Sequence, residues 1–93
     1  MEAKQHVEIN TTKDLLETIK AGKGIFPGGY EINFLTKNGT CLHYQCVKDN
    51  LIQECRNIKD EMEDRIIGTF VNYEDEDLYC EWCNEVIKPE YEN

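Results

Sequence analysis

Two pairs of metal-binding residue types, each with the same two-residue gap, constrain this chain most. His43 and Cys46 form H-x-x-C, and Cys80 and Cys83 form C-x-x-C after 33 intervening residues. A two-residue gap lets one tight turn present two side chains to the same ion, and zinc favours four nitrogen or sulfur ligands in a tetrahedron. The spacing is typical of a zinc ribbon. It predicts one Zn²⁺ per chain, held by these four residues in a closed, structural site.

Other assignments of the cysteines stay open at this stage. Cys41 could replace His43, because strand alternation points both side chains to the same face. An all-cysteine version of the site could hold iron, although a histidine ligand favours zinc. The five cysteines could also be reduced and metal-free, and Cys55 has the spacing of a small residue packed in a helix.

Two kinds of catalysis fit the sequence poorly. A redox C-x-x-C needs a first thiol of low pKa at a helix N-terminus. Here the flanking residues are acidic, which opposes thiolate formation. Catalytic zinc would need an open coordination position, and apart from His6 no spare ligand is placed by a recognisable pattern. We therefore expect a protein that is not an enzyme.

The length predicts one small domain over residues 1–93, with a polar tail from about residue 88. A core this small gains from a metal clasp. We expect no signal peptide, because residues 1–6 are polar, and no membrane span, because the sequence has no apolar run of the required length. With an odd number of cysteines, ligation is favoured over disulfides, and we expect a cytoplasmic protein.

The net charge of −9 is unevenly spread. Residues 1–48 carry six Lys and Arg against five Asp and Glu, a net +1, whereas residues 49–93 carry four against fourteen, a net −10. An acidic half disfavours nucleic-acid binding and favours a partner with a basic surface. The expected contact residues are those of the second acidic run, Glu74, Asp75, Glu76 and Asp77. A nucleic-acid-binding zinc module is the alternative, and it would use Lys13, Lys20, Lys23 and Lys37.

Local patterns predict the secondary structure. Thr11 and Asp14 have capping-box spacing before a helix over 12–21 with Leu15, Leu16 and Ile19 on its inner face. A second helix begins near residue 50, with Leu51, Ile52, Cys55 and Ile58 facing inward. Strands are predicted over 6–9, 30–36, 40–44 and 65–73, and Asn38-Gly39 is typical of a type I′ hairpin turn. The glycine-rich segment 22–29 lacks the pattern of a phosphate-binding loop.

The chain resembles a family of small uncharacterised zinc-binding proteins that are common in bacteriophages and mobile elements. Residues 25–91 carry the resemblance: Gly28-Gly29-Tyr30, a strand, a glycine turn, a knuckle ending at Cys46, the stretch N-Y-E-D from Asn72, and C-x-x-C. Three positions depart from the usual pattern. His43 stands for a cysteine, Glu31 for a proline, and Asn84 for a glycine whose left-handed conformation asparagine tolerates.

Together these observations predict an α+β fold, with a small antiparallel sheet of three or four strands, two helices and a zinc-ribbon-like clasp. The resemblance implies zinc and a phage or mobile-element setting. The expected function is that of a modulator or inhibitor that binds a basic surface of a host defence or transcription protein.

Overall fold

The computed structural model describes residues 7–22, 24 and 30–89. The predictions for His6, for Lys23 and for most of the glycine-rich segment lie outside the described residues. In chain order the elements are α1 (Thr12–Ala21), β1 (Asn33–Thr36), β2 (Cys41–His43), α2 (Tyr44–Asp49), α3 (Leu51–Lys59) and β3 (Ile66–Phe70). The predicted α+β class, with a small antiparallel sheet and a cluster suited to a metal clasp, is confirmed.

The sheet has the order β2-β1-β3, and both pairings are antiparallel. The segment predicted as a first strand adds an isolated antiparallel bridge between Glu8 and Gly68 on the outer side of β3. Gly68 makes this close approach possible, because a Cβ atom there would lie 3.1 Å from the carbonyl oxygen of Val7. The opposite edge is covered by the C-x-x-C turn, through a parallel bridge between Cys41 and Cys80.

The first helix follows the prediction residue for residue. The backbone N–H of Asp14 donates to Thr11 Oγ1 at 3.1 Å, and Asp14 Oδ2 accepts from the N–H of Thr11 at 3.2 Å. The helix ends at Gly22, whose φ of 101° is in the region that favours glycine. One predicted inner residue is wrong: Leu16 is exposed, and Thr18 is buried beside Leu15 and Ile19 instead.

The hairpin between β1 and β2 uses a different turn from the one predicted. A type I′ turn needs positive φ at both central residues, whereas of Asn38 and Gly39 only Gly39 has it, at 91°. The N–H of Gly39 donates to the carbonyl of Thr36, and the N–H of Thr36 donates to the carbonyl of Thr40. This arrangement is a three-residue loop with glycine in the left-handed position, and the Thr36, Asn38 and Thr40 side chains bond to one another across it.

The strands are shorter than predicted, and α2 was not predicted at all. Residues 30–32 precede the paired part of β1, although Ile32 is fully buried, and β3 ends at Phe70. The chain turns directly from β2 into α2 at Tyr44, so Cys46 lies on a helix and not at a strand end. Tyr44 secures this turn, because its hydroxyl donates to the carbonyl oxygen of Ile19 at 2.6 Å.

One hydrophobic core joins α1, the sheet, α2, α3 and the C-terminal segment. Its fully buried members include Leu15, Ile32, Phe34, Val47 and Ile66, and Cys80 and Ile87 extend it under the C-x-x-C turn. Ile52 is 79% exposed, so its predicted place in the core is wrong. Each residue of an α-helix is rotated by about 100° from the one before it, so Ile52 lies about 120° around α3 from the buried Ile58. Among the described residues, no helix is long and apolar enough to cross a membrane.

Candidate metal centre

The structure brings His43, Cys46, Cys80 and Cys83 into one cluster. One ligand atom from each lies within 4.8 Å of the other three. In a tetrahedral zinc site with Zn–S of about 2.3 Å and Zn–N of about 2.0 Å, neighbouring ligand atoms are separated by about 3.5–3.8 Å. The distance of 3.4 Å between Cys83 Sγ and His43 Nδ1 is just below this range. The four residues could therefore bind one metal ion, with Nδ1 as the nitrogen ligand.

Two consecutive elements position His43 and Cys46. His43 is the last residue of β2 and the residue before α2, with extended φ and ψ of −66° and 148°. Cys46 is the third residue of α2, so the first helical turn folds its side chain back beside His43. Both side chains are half-buried. The two-residue gap of the first pair thus spans a strand-to-helix junction.

A tight turn holds Cys80 and Cys83. The N–H of Asn84 donates to the carbonyl of Cys80 at 2.8 Å, and the N–H of Cys80 donates to the carbonyl of Glu85 at 2.9 Å. Asn84 has a φ of 61°, the left-handed conformation expected at the exit of such a turn. A bond of 3.0 Å from the N–H of Glu81 to the carbonyl of Cys41 attaches the turn to β2.

Backbone hydrogen bonds around the Cys80 sulfur favour ionisation of its thiol. Burial raises its pKa, but hydrogen bonds from the backbone N–H groups of His43, Cys83 and Trp82 and from the Cys46 thiol outweigh burial, and the net pKa is lowered. The N–H of His43 lies 3.4 Å from Cys80 Sγ. Backbone donors around a buried sulfur favour a thiolate, which is the form that binds metal.

Cys46 behaves in the opposite way. Burial, with hydrogen bonds and charge from Cys80 and Cys83, raises its pKa to about 12. These surroundings favour the protonated form of the Cys46 thiol. A divalent cation at the centre of the cluster would replace that proton, since thiols lose their protons on binding metal.

The alternatives left open by the sequence fare differently. Cys41 is buried beside the cluster but is not one of its four members, and burial, followed by the charges of Asp75 and Cys80, raises its pKa. Cys80, the first thiol of the C-x-x-C motif, is fully buried in a turn. It lacks the exposed helix N-terminus that a redox C-x-x-C uses.

The other proposed contact residues also have defined places. Glu74, Asp75, Glu76 and Asp77 form an exposed loop after β3. Lys13 and Lys20 lie on the exposed side of α1, and Lys37 lies in the hairpin loop. The acidic loop is anchored by the buried Asn72, whose Oδ1 accepts from the N–H of Asp75 and whose Nδ2 donates to the carbonyls of Asp75 and Ile87.

The residues that sequence reasoning missed are Asn72, Glu54 and Trp82. Glu54 is 2% exposed although it is charged, and its Oε2 accepts a 2.6 Å hydrogen bond from Trp82 Nε1. Its spacing from Leu51 and Ile58 is the signal that could have found it, because it places Glu54 on the inner side of α3.

Comparisons of this chain with protein-family models, with curated proteins and with solved structures returned no match.

Proposed function

We propose that this protein is a non-enzymatic zinc-binding protein whose acidic surface binds a basic face of another protein. The observation that carries the proposal is the convergence of three sulfur atoms and one imidazole nitrogen within 4.8 Å. This donor set suits zinc, because thiolates and imidazole exclude calcium and magnesium and the histidine disfavours an iron–sulfur centre. Four protein ligands leave no position for a catalytic water, which favours a structural role.

The metal would add a further link between parts of the chain that are distant in sequence. His43 and Cys46 belong to the sheet and α2, whereas Cys80 and Cys83 belong to the segment after the acidic loop. The bond from the N–H of Glu81 to the carbonyl of Cys41 and the burial of Cys80 and Ile87 already attach this segment to the core. A zinc ion would strengthen that attachment and help to hold the acidic loop in one position.

Charge supports the choice of partner. The exposed loop of Glu74, Asp75, Glu76 and Asp77 has four consecutive carboxylates, and the exposed turn after α3 adds Asp60, Glu61, Glu63 and Asp64. Such surfaces speed the encounter with a basic partner and repel nucleic acid. In the setting implied by the family resemblance, a phage or mobile element, that partner would be a host defence or transcription protein.

A paired experiment tests the partner class. Zinc-loaded protein immobilised on beads is incubated with a bacterial lysate, and the same protein is assayed for a gel shift with random-sequence DNA and RNA. The matched control replaces residues 74–77 with Asn and Gln. We expect a captured basic protein that the control variant fails to retain, and no gel shift. A salt-sensitive gel shift without protein capture would contradict the proposal and support the nucleic-acid alternative.

A further inference from the structure

A cleft of about 460 Å³ lies between the β1–β2 hairpin, α3 and the C-x-x-C turn. Polar side chains dominate its lining, among them Thr36, Asn57 and the carboxylates of Glu54, Asp64 and Glu81. Trp82 forms an aromatic part of the wall. The cleft is separate from the exposed loop of residues 74–77, none of which lines it.

Glu54 marks this cleft as a binding site. The residue is 98% removed from solvent, since only 2% of its surface is exposed. Its Oε2 is bonded to Trp82, but Oε1 is buried and has no hydrogen-bond partner in the part of the chain that the structure describes. A buried polar atom without a partner costs about 1–3 kcal/mol, and more if the group is charged. A ligand that donates a hydrogen bond to Oε1 would remove this cost.

The charge around the cleft determines the sign of the ligand. Asp64 lies close enough to Glu54 for its charge to help raise the pKa of the Glu54 carboxyl, after the larger effect of burial. Glu81 adds a third carboxylic acid to the lining, and none of the described lining residues is a lysine or an arginine. The ligand group is therefore cationic.

The spacing of the carboxylates excludes a compact metal ion. Among residues 7–22, 24 and 30–89, the single cluster with at least three His, Cys, Asp or Glu ligand atoms close enough for one ion is that of His43. The carboxylates of Glu54, Asp64 and Glu81 do not form such a group. A wide, planar organic cation can reach several separated acceptors at once.

We propose that this cleft receives an arginine side chain of the partner protein, with the guanidinium group donating to Glu54 Oε1 and to the carboxylates of Asp64 and Glu81. A guanidinium presents five donors in a rigid plane and packs against aromatic rings, which matches the dispersed acceptors and the indole of Trp82. An ammonium group has three donors around one point and fits this lining less well. The inference rests on the proposed function, since it locates where a basic partner is recognised.

The chain contains one tryptophan, so the fluorescence of Trp82 reports directly on the cleft. Zinc-loaded protein is titrated with the capped peptide Gly-Arg-Gly, with the same peptide containing citrulline, which is nearly isosteric but neutral, and with Gly-Lys-Gly. Agmatine, a free guanidine, is the fourth probe. We expect saturable binding of the arginine peptide, weaker binding of the lysine peptide and none of the citrulline peptide.

Two variants complete the test. Glu54→Gln keeps an acceptor for Trp82 but removes the charge, and it should weaken binding of the arginine peptide by about tenfold or more. Glu63→Gln removes an exposed charge outside the cleft and should bind like the parent. If Glu54→Gln fails to fold, Asp64→Asn replaces it, and this variant should still weaken binding several-fold.

Three results would overturn the inference: no saturable signal with the arginine peptide, equal binding of the citrulline peptide, or unchanged binding by a folded Glu54→Gln protein. Binding of agmatine without binding of the arginine peptide would also contradict it, because the cleft would then admit a free metabolite and not a side chain. The zinc content and melting curve of each protein are measured in parallel. If the arginine peptide does not bind although the protein contains one zinc per chain, only the proposed arginine site is contradicted. If the purified protein contains no zinc, the proposed function itself is contradicted.

Discussion

The indole nitrogen of Trp82 donates a 2.6 Å hydrogen bond to Glu54 Oε2, and this bond connects the C-x-x-C turn to α3 across 28 residues of sequence. Trp82 stands between the two cysteines of the turn, so its position and that of the metal ligands are linked. The other oxygen of the same carboxylate, Oε1, is buried without a hydrogen-bond partner among the described residues, and Glu54 is one of the residues that line the cleft. Glu54 thus lies between the candidate metal centre and the candidate arginine site.

The first prediction concerns the pH dependence of stability. Burial raises the folded-state pKa of Glu54, so folding favours its neutral form. Its contribution is favourable below the unfolded pKa and is lost as the pH rises through the raised folded pKa. Glu54→Gln removes this titration. The melting temperature of Glu54→Gln minus that of the parent should therefore increase as the pH rises above the ordinary pKa of a glutamate.

Taking the difference between two proteins with the same metal site cancels the effect of pH on metal binding. Glu63→Gln is again the control, with a difference that should not change in the same direction. A difference for Glu54→Gln that falls or stays constant as the pH rises would show that the fold does not raise the pKa of this carboxyl.

The second prediction is that the metal is structural. Apparent binding free energies of structural zinc in small peptides are about 10–16 kcal/mol, and this energy contributes to folding. Cys80→Ser should unfold or strongly destabilise the C-terminal third, whereas Cys55→Ala should cost about 1–2 kcal/mol as a small truncation of a half-buried side chain. Chemical denaturation followed by circular dichroism measures both. A Cys80→Ser protein as stable as the parent would contradict a structural metal.

The third prediction separates His43 from Cys41 as the fourth ligand. His43→Ala removes a member of the cluster and should abolish stoichiometric zinc binding. Cys41→Ala removes a buried neighbour outside it and should retain the zinc, with a cost in stability of about 1–2 kcal/mol. Retention of zinc by His43→Ala and its loss from Cys41→Ala would reverse the assignment.

The fourth prediction concerns the acidic loop. Asn72→Ala removes the side chain that bonds to the carbonyls of Asp75 and Ile87, and the buried carbonyl of Ile87 loses a donor. The expected cost is about 1–3 kcal/mol, together with faster amide exchange in the loop. Glu76→Ala, an exposed change in the same loop, should have a much smaller effect. Equal stabilities of the two variants would show that Asn72 does not anchor the loop.

The parts of the fold that were predictable are those with local causes. The helix α1 has its capping box, its apolar spacing and its terminal glycine within twelve consecutive residues, 11–22. The left-handed conformation of Asn84 was expected from the resemblance, in which glycine is usual at that position and asparagine tolerates the same conformation. The pairing of H-x-x-C with C-x-x-C could be predicted without the fold of the intervening chain, because one metal ion can bind ligands that are distant in sequence.

The parts that were missed depend on tertiary contacts. The helix α2 has only six residues, too few for a periodic signal, and Tyr44 is held by the carbonyl of Ile19 in another element. The helical spacing of Glu54 places it on the inner side of α3, but a charged residue is normally expected at the surface. Its burial depends on the hydrogen bond from Trp82, which cannot be read from the local sequence. The Asn38-Gly39 turn failed as a prediction because bonds among Thr36, Asn38 and Thr40 stabilise a three-residue loop.

The zinc content of protein purified without chelators tests the central claim most directly. Native mass spectrometry, supported by elemental analysis, should give one zinc per chain for the parent and for Cys55→Ser, which alters a cysteine outside the cluster. Cys83→Ser should bind less than stoichiometric zinc. A folded parent protein with no metal, or a Cys83→Ser protein that still holds one zinc per chain, would contradict the account.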